Sequence, residues 1–231
     1  MSFLCLAFVG DGSVGKSSFI RALTCNDFNK VYRQTIGFNC FEKSIVLQRQ
    51  MSVSLRIVDC GGQSLASCNL ANYLSGASAV MVLYDVTNQE SFLNTEDWVQ
   101  VTRKHTENKA VRIYLVGTKV DLYDLRQVTI EQHAAQIMQC GLQGGFFASA
   151  KTGDNVLREI VRVSAESLGL SLTDADLACF EKVVSVHVHQ SSSSDEEGRT
   201  AFAAEIEAQD CALEEEKRRR EANAGCMCTL S

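Results

Sequence analysis

The 231-residue chain contains no proline, a residue that makes up ~5% of an average protein. Nothing therefore interrupts a helix over Phe202–Ala222, where Glu214, Glu215 and Glu216 each precede an arginine by four residues. Pairing of that kind makes Lys217-Arg218-Arg219-Arg220 a solvated helical face rather than a patch for anionic lipid. No run approaches the eighteen or so apolar residues of a membrane span. No basic segment opens the chain, and its first apolar run breaks at Gly10-Asp11-Gly12, so no secretory leader is expected. Ser2 stands where N-myristoylation needs glycine. An excess of positive charge is also missing. The net charge is −6, and residues 185–231 carry ten acids against five bases, which leaves the rest nearly neutral. Binding to nucleic acid through bulk charge is excluded on that account. The ten cysteines lie scattered, several inside apolar runs (Cys5, Cys25, Cys140), with no disulfide spacing. A reduced, cytoplasmic setting follows.

What is present begins with Gly10–Ser17, reading GDGSVGKS, directly after the apolar run Phe3–Val9. A strand that stops at glycine, loops and restarts as a helix at Lys16 aims successive backbone N–H groups at one point. The helix dipole adds to that field, so Gly12, Ser13, Val14, Gly15 and Lys16 form a cradle for nucleotide phosphates. Lys16 reaches the outer phosphates, and the Ser17 hydroxyl suits a hard Mg²⁺ ion.

Apolar strands and helical patterns alternate beyond the loop. Strand segments fall near Phe3–Val9, Phe41–Leu47, Val53–Val58, Ala79–Tyr84, Val111–Val116 and Gly145–Ala148. The second and third are close enough to pair as an antiparallel edge. Helical patterns cover Lys16–Cys25, Gln89–His105, Thr129–Cys140 and Asp154–Leu168, the last capped by Gly153 or Asp154. The pattern predicts an α/β fold with a mostly parallel sheet, helices on both faces, and ligands at the carboxyl ends of the strands. Periodicity fades after Leu172, so residues 1–172 are expected to form the domain and 173–231 a partly helical or disordered tail. The run Ser191–Ser194 before Asp195-Glu196-Glu197 reads as a linker.

Three further clusters acquire meaning behind the loop. Asp59-Cys60-Gly61-Gly62-Gln63 ends the third strand: Asp59 holds Mg²⁺ through water, Gly62 offers a close backbone N–H to a γ-phosphate, and Gln63 orients a water. Thr35, in Thr35-Ile36-Gly37, supplies a second hydroxyl for the metal. Thr118-Lys119-Val120-Asp121 follows the fifth strand. The Asp121 carboxylate accepts two hydrogen bonds from guanine, whereas adenine would leave it unpaired. Lys119 lies along the base, and Ser149-Ala150-Lys151 brings the Ala150 N–H to the guanine carbonyl.

In this order these residues resemble the small GTPases of the Ras superfamily over residues 3–170, which implies a G domain with a six-stranded sheet and one antiparallel edge strand. Tyr84-Asp85-Val86-Thr87, Ser91-Phe92 and Trp98 resemble the Rab family, and Asp59-Cys60-Gly61-Gly62-Gln63 its divergent Rab twenty-eight branch. The resemblance implies that Phe28 flanks the base, Tyr32 covers the phosphates and Ser18 meets the α-phosphate. It implies slow GTP hydrolysis with Gln63 and Lys16 as catalytic residues, Mg²⁺, and GTP or GDP as ligand. Expected partners are an exchange factor, a GTPase-activating protein, a prenyl-binding escort and GTP-state effectors of a monomeric G domain.

Cys40, Val58 and Ser64 depart from the usual Rab residues, so effectors shared across Rabs are not expected here. Thr118 replaces the usual Asn, as in Rho proteins, but only Leu122–Val128 precedes the next helix, too little for the Rho insert. The ending Cys226-Met227-Cys228-Thr229-Leu230-Ser231 fits a prenylation box at Cys228, with Cys226 as second lipid site. Reversible attachment to endosomal or ciliary membranes is the implied consequence. A Rho- or Ras-like signalling GTPase, a P-loop kinase and a non-hydrolysing GTP-binding scaffold are the alternatives. The kinase would need an arginine-bearing lid, and none is visible.

Overall fold

The computed structural model describes residues 2–25, 28–29, 33–47, 51–62, 70–74, 76–106, 111–173, 175–178 and 180. Two compact units divide the chain, Met1–Val184 and Ser185–Ser231, and the second lies outside the described residues. With it lie the linker serines, the span 202–222 expected to be helical and both tail cysteines.

In the first unit, β1 (Ser2–Gly10), β3 (Met51–Cys60), β4 (Ala79–Asp85), β5 (Arg112–Thr118) and β6 (Gly144–Phe147) run parallel. The edge strand β2 (Phe38–Leu47) pairs antiparallel with β3, Phe41 opposite Ile57. The order is β2-β3-β1-β4-β5-β6, a six-stranded sheet of the kind anticipated. Every residue of β4 is buried, and β1 is buried from Leu4 to Gly10, as strands covered on both faces must be.

Two apolar layers provide that cover. One side gathers Phe8, Leu55, Ile57 and Met81 under α1 (Lys16–Cys25) and α6 (Val156–Ser167), through Phe19, Ile20, Ile160 and Val163. This layer extends to Leu177, 4% exposed, so the chain is still packing past the expected limit at Leu172. The other side gathers Val58, Val80, Val82 and Tyr84 under α2 (Leu70–Leu74), α3 (Gln89–Leu93) and α4 (Thr95–His105), through Leu70, Phe92, Trp98 and Val99. Helix α5 (Ile130–Gln139) docks on the same side through His133, with Ile137 packed against that layer.

Three local expectations change. The single helix over Gln89–His105 is two helices that break at Asn94, whose backbone caps α3 while it opens α4. Neither α2 nor the 3-10 turn Tyr123–Leu125 was signalled. The helix after β6 begins at Val156, not Asp154. Asn155 precedes it in the left-handed conformation (φ 60°) with no side-chain cap, while Asp154 accepts instead from the Thr152 hydroxyl at 2.7 Å.

Candidate nucleotide-binding site

The loop from β1 to α1 earns its shape from its backbone. Gly10 (φ 139°) and Gly15 (φ 98°) sit where side chains strain, and Ser13 is left-handed as well (φ 64°). A Cβ on Gly10 would lie 2.3 Å from the Leu83 carbonyl oxygen, so glycine lets the turn press onto β4. The first turn of α1 then points into a cavity of about 580 Å³ at the carboxyl ends of the strands. Gly12, Ser13, Gly15, Lys16, Ser17 and Ser18 form its floor. Phe28, Thr35 and Gly62 border it from the following segments, and Thr118, Lys119, Asp121, Ala150 and Lys151 border it from the ends of β5 and β6. Segments separated by more than a hundred residues thus meet around one space.

Lys16 is 5% exposed and donates to the carbonyl oxygens of Gly10 (2.8 Å) and Asp11 (2.6 Å). Burial lowers its pKa to about 8, against the pull of the Asp59 and Asp11 carboxylates, so an arriving anion restores a full charge that the fold alone weakens. Ser17 Oγ donates to Asp59 Oδ2 at 2.6 Å and lies 2.9 Å from Thr35 Oγ1. Asp59 is fully buried, its Oδ1 has no partner among the described residues, and burial raises its pKa despite the Ser17 hydrogen bond. Two hydroxyls and an orphaned buried carboxylate oxygen make a donor set that fits a hard divalent cation. Gly62 packs so closely that a Cβ would fall 2.2 Å from the Gly12 nitrogen. Only glycine brings the two loops together.

At the other end, Thr118 donates to the carbonyl oxygens of Val14 (2.5 Å) and Tyr84 (2.9 Å), tying β5 to the phosphate loop. Asp121 accepts from Ser149 Oγ at 2.7 Å and lies 3.5 Å from Lys151 Nζ, which fixes its carboxylate. Lys119, left-handed at φ 60°, pairs with Asp85 at 2.6 Å. Val14 and Ser149 are buried behind the cavity wall and act through these bonds. Gln63, Tyr32, Cys226 and Cys228 lie outside the described residues.

Sequence reasoning passed over Asp11 and Arg33. Arg33 borders the cavity two residues before Thr35. Asp11 occupies a free position of the phosphate-loop pattern, where any residue is permitted, so the pattern carries no signal for it.

The fold and this site define a phosphate-loop nucleotide-binding protein of the α/β class. Comparison narrows that class: the model of the Ras family matches residues 5–168. The chain is 36% identical over 193 residues to Ras-related protein Rab-28 of Caenorhabditis elegans, an overlap covering 82% of this chain and 77% of that protein. The chain belongs to the Ras family and is a Rab-type small GTPase, an enzyme that binds GTP and GDP and hydrolyses GTP. Among the described residues no helix is long and apolar enough to cross a membrane.

Proposed function

We propose that this chain is a Mg²⁺-dependent switch of vesicle or endosomal membrane trafficking, read by its partners in the GTP state. The observation that carries the reading is the trio Ser17, Thr35 and Asp59, which links the phosphate loop, the segment before β2 and the end of β3 at 2.9 and 2.6 Å. A cation there, when bound, offsets phosphate charge and polarises the terminal phosphoryl group. Lys16 neutralises outer-phosphate charge. The backbone N–H groups of Ser13 to Ser18 orient the phosphates, and Asp121 with Ala150 selects guanine. Thr35 and Gly62 stand on separate segments, so contact with a γ-phosphate would order both and hydrolysis would release them. Gln63 positions the attacking water, and an arginine from an activating partner supplies the larger part of the rate.

Partner choice follows from the surface around β2. Cys40 faces Val58 across the β2–β3 pair, and exposed Ile36 and Phe38 flank it, the Phe38 ring 4.1 Å from that of Tyr73. Cys40 is exposed while Val58 opposite it is buried in the core, so a small thiol is what this face presents where Rabs usually carry a large aromatic. This supports an effector set of the chain's own. Cys228 and Cys226 carry the lipid that holds the protein reversibly on the cytoplasmic face of the membrane.

The test is single-turnover GTP hydrolysis by the full chain and by Gln63→Leu, each with Mg²⁺. Gln63→Leu should keep GTP affinity and lose hydrolysis about 10-fold or more, with stimulation by an activating partner abolished. Turnover equal to that of the unsubstituted chain refutes the assigned role of Gln63.

A further inference from the structure

An acid in a phosphate loop is chemically out of place, because the loop collects donors for an anion and a carboxylate repels it. Asp11 is such an acid, and both its oxygens are occupied. Oδ1 accepts from the indole N–H of Trp98 at 2.8 Å, and Oδ2 accepts from Asn94 Nδ2 at 2.7 Å. The donors share one piece of backbone: the Trp98 N–H reaches the Asn94 carbonyl at 3.2 Å, and Asn94 is the joint between α3 and α4. Trp98 is 1% exposed, so its ring has no freedom to follow a moving loop.

The main chain of Asp11 serves the site directly. Its carbonyl oxygen holds the Lys16 ammonium at 2.6 Å, and its carbonyl carbon is 2.5 Å from where a Cβ on Gly62 would stand. The lysine that meets phosphate and the glycine that closes over it thus rest on one peptide unit, anchored from beneath by a helix joint. We infer that Asp11 is a positioning residue, clamped by Trp98 and Asn94, which sets the phosphate-loop backbone and makes nucleotide retention depend on the α3–α4 joint.

The inference rests on the nucleotide lying at this loop, which the first measurement checks separately. Full-chain protein is loaded with GDP and Mg²⁺, and release of a fluorescent GDP analogue is followed together with the phosphorus NMR resonances of bound GDP. Trp98→Phe keeps a six-membered aromatic ring and removes the N–H with the rest of the five-membered ring; Asn94→Ala removes the second donor from a partly exposed position. Each should speed GDP release about tenfold, the ratio expected for one hydrogen bond to a charged group, and shift the β-phosphate resonance. Val99→Ala, on the same helix and buried without a polar contact to the loop, should lower the melting temperature and leave the resonance in place.

Folded Trp98→Phe or Asn94→Ala protein with wild-type release and resonances overturns the inference. So does a Val99→Ala shift as large as theirs, which would make the effect one of helix packing. If Trp98→Phe does not fold, Asn94→Ala decides alone. Failure of the unsubstituted chain to retain GDP would instead refute the placement of the nucleotide.

Discussion

The proposed reading of the base by Asp121 depends on its neighbours as much as on its charge. Ser149 holds one carboxylate oxygen at 2.7 Å and Lys151 stands 3.5 Å from the other, so the group is aimed before any ligand arrives. Asp121→Asn replaces an acceptor pair with one donor and one acceptor. GTP affinity should fall about a hundredfold or more while xanthosine triphosphate gains, as competition binding would show; unchanged preference contradicts the base-reading role. Most of the site was legible at this scale, because Lys16, Ser17, Asp59, Thr118 and Asp121 carry chemistry that fixed spacing exposes. Asp11 was not, for its partners Asn94 and Trp98 lie 83 and 87 residues away. A pattern along the chain cannot contain a contact made across it.

Helix α5 shows what an element gains from one buried polar group. His133 is 4% exposed, its Nδ1 lies 2.9 Å from the Tyr84 hydroxyl, and its ring faces that of Phe147 at 4.4 Å. Arg126 sits over the far partner, 4.5 Å from the Phe147 centroid, and a Cβ on Gly145 would be 2.6 Å from His133 Nε2. Burial, with help from the Arg126 charge, lowers the His133 pKa to about 4. The unfolded chain therefore binds a proton between pH ~6.5 and ~4 that the folded chain refuses, so stability is full above that window and lost as pH falls through it. The loss attached to this group is on the order of 3 kcal/mol. His133→Gln, which keeps a partner for Tyr84, should flatten this acid limb in melting curves taken across the window; an unaltered limb excludes His133 as its source. Elements themselves were read well where apolar periodicity was long, as in α1, α5 and β4. The break at Asn94 escaped because α3 and α4 share one apolar face, through Phe92 and Trp98, so the period runs on while the backbone does not. The five-residue α2 is too short to show a period at all.

For the molecule as a whole, the orphaned Asp59 oxygen couples stability to ligand. A buried carboxylate without a cation is a local liability, and nucleotide with Mg²⁺ bound there, as proposed, would stabilise only the folded chain. At a hundredfold excess over the dissociation constant that contribution is about 2.7 kcal/mol, so chelation should lower the melting temperature by roughly 5–11 °C. Asp59→Asn should blunt the response to chelator, and a full response in that variant would place the cation elsewhere. Strand alternation foretold the parallel sheet and its antiparallel edge. That packing continues to Leu177 was not foretold, because a few apolar residues after a helix leave no periodic mark.

The chain contains a single tryptophan. Since the indole N–H of Trp98 rests on the phosphate loop and its ring is sealed from water, the protein carries an intrinsic fluorophore wired to its own ligand site. Its emission, free of any competing indole, should shift or change intensity when nucleotide is released; a spectrum unchanged on release would uncouple the ring from the loop.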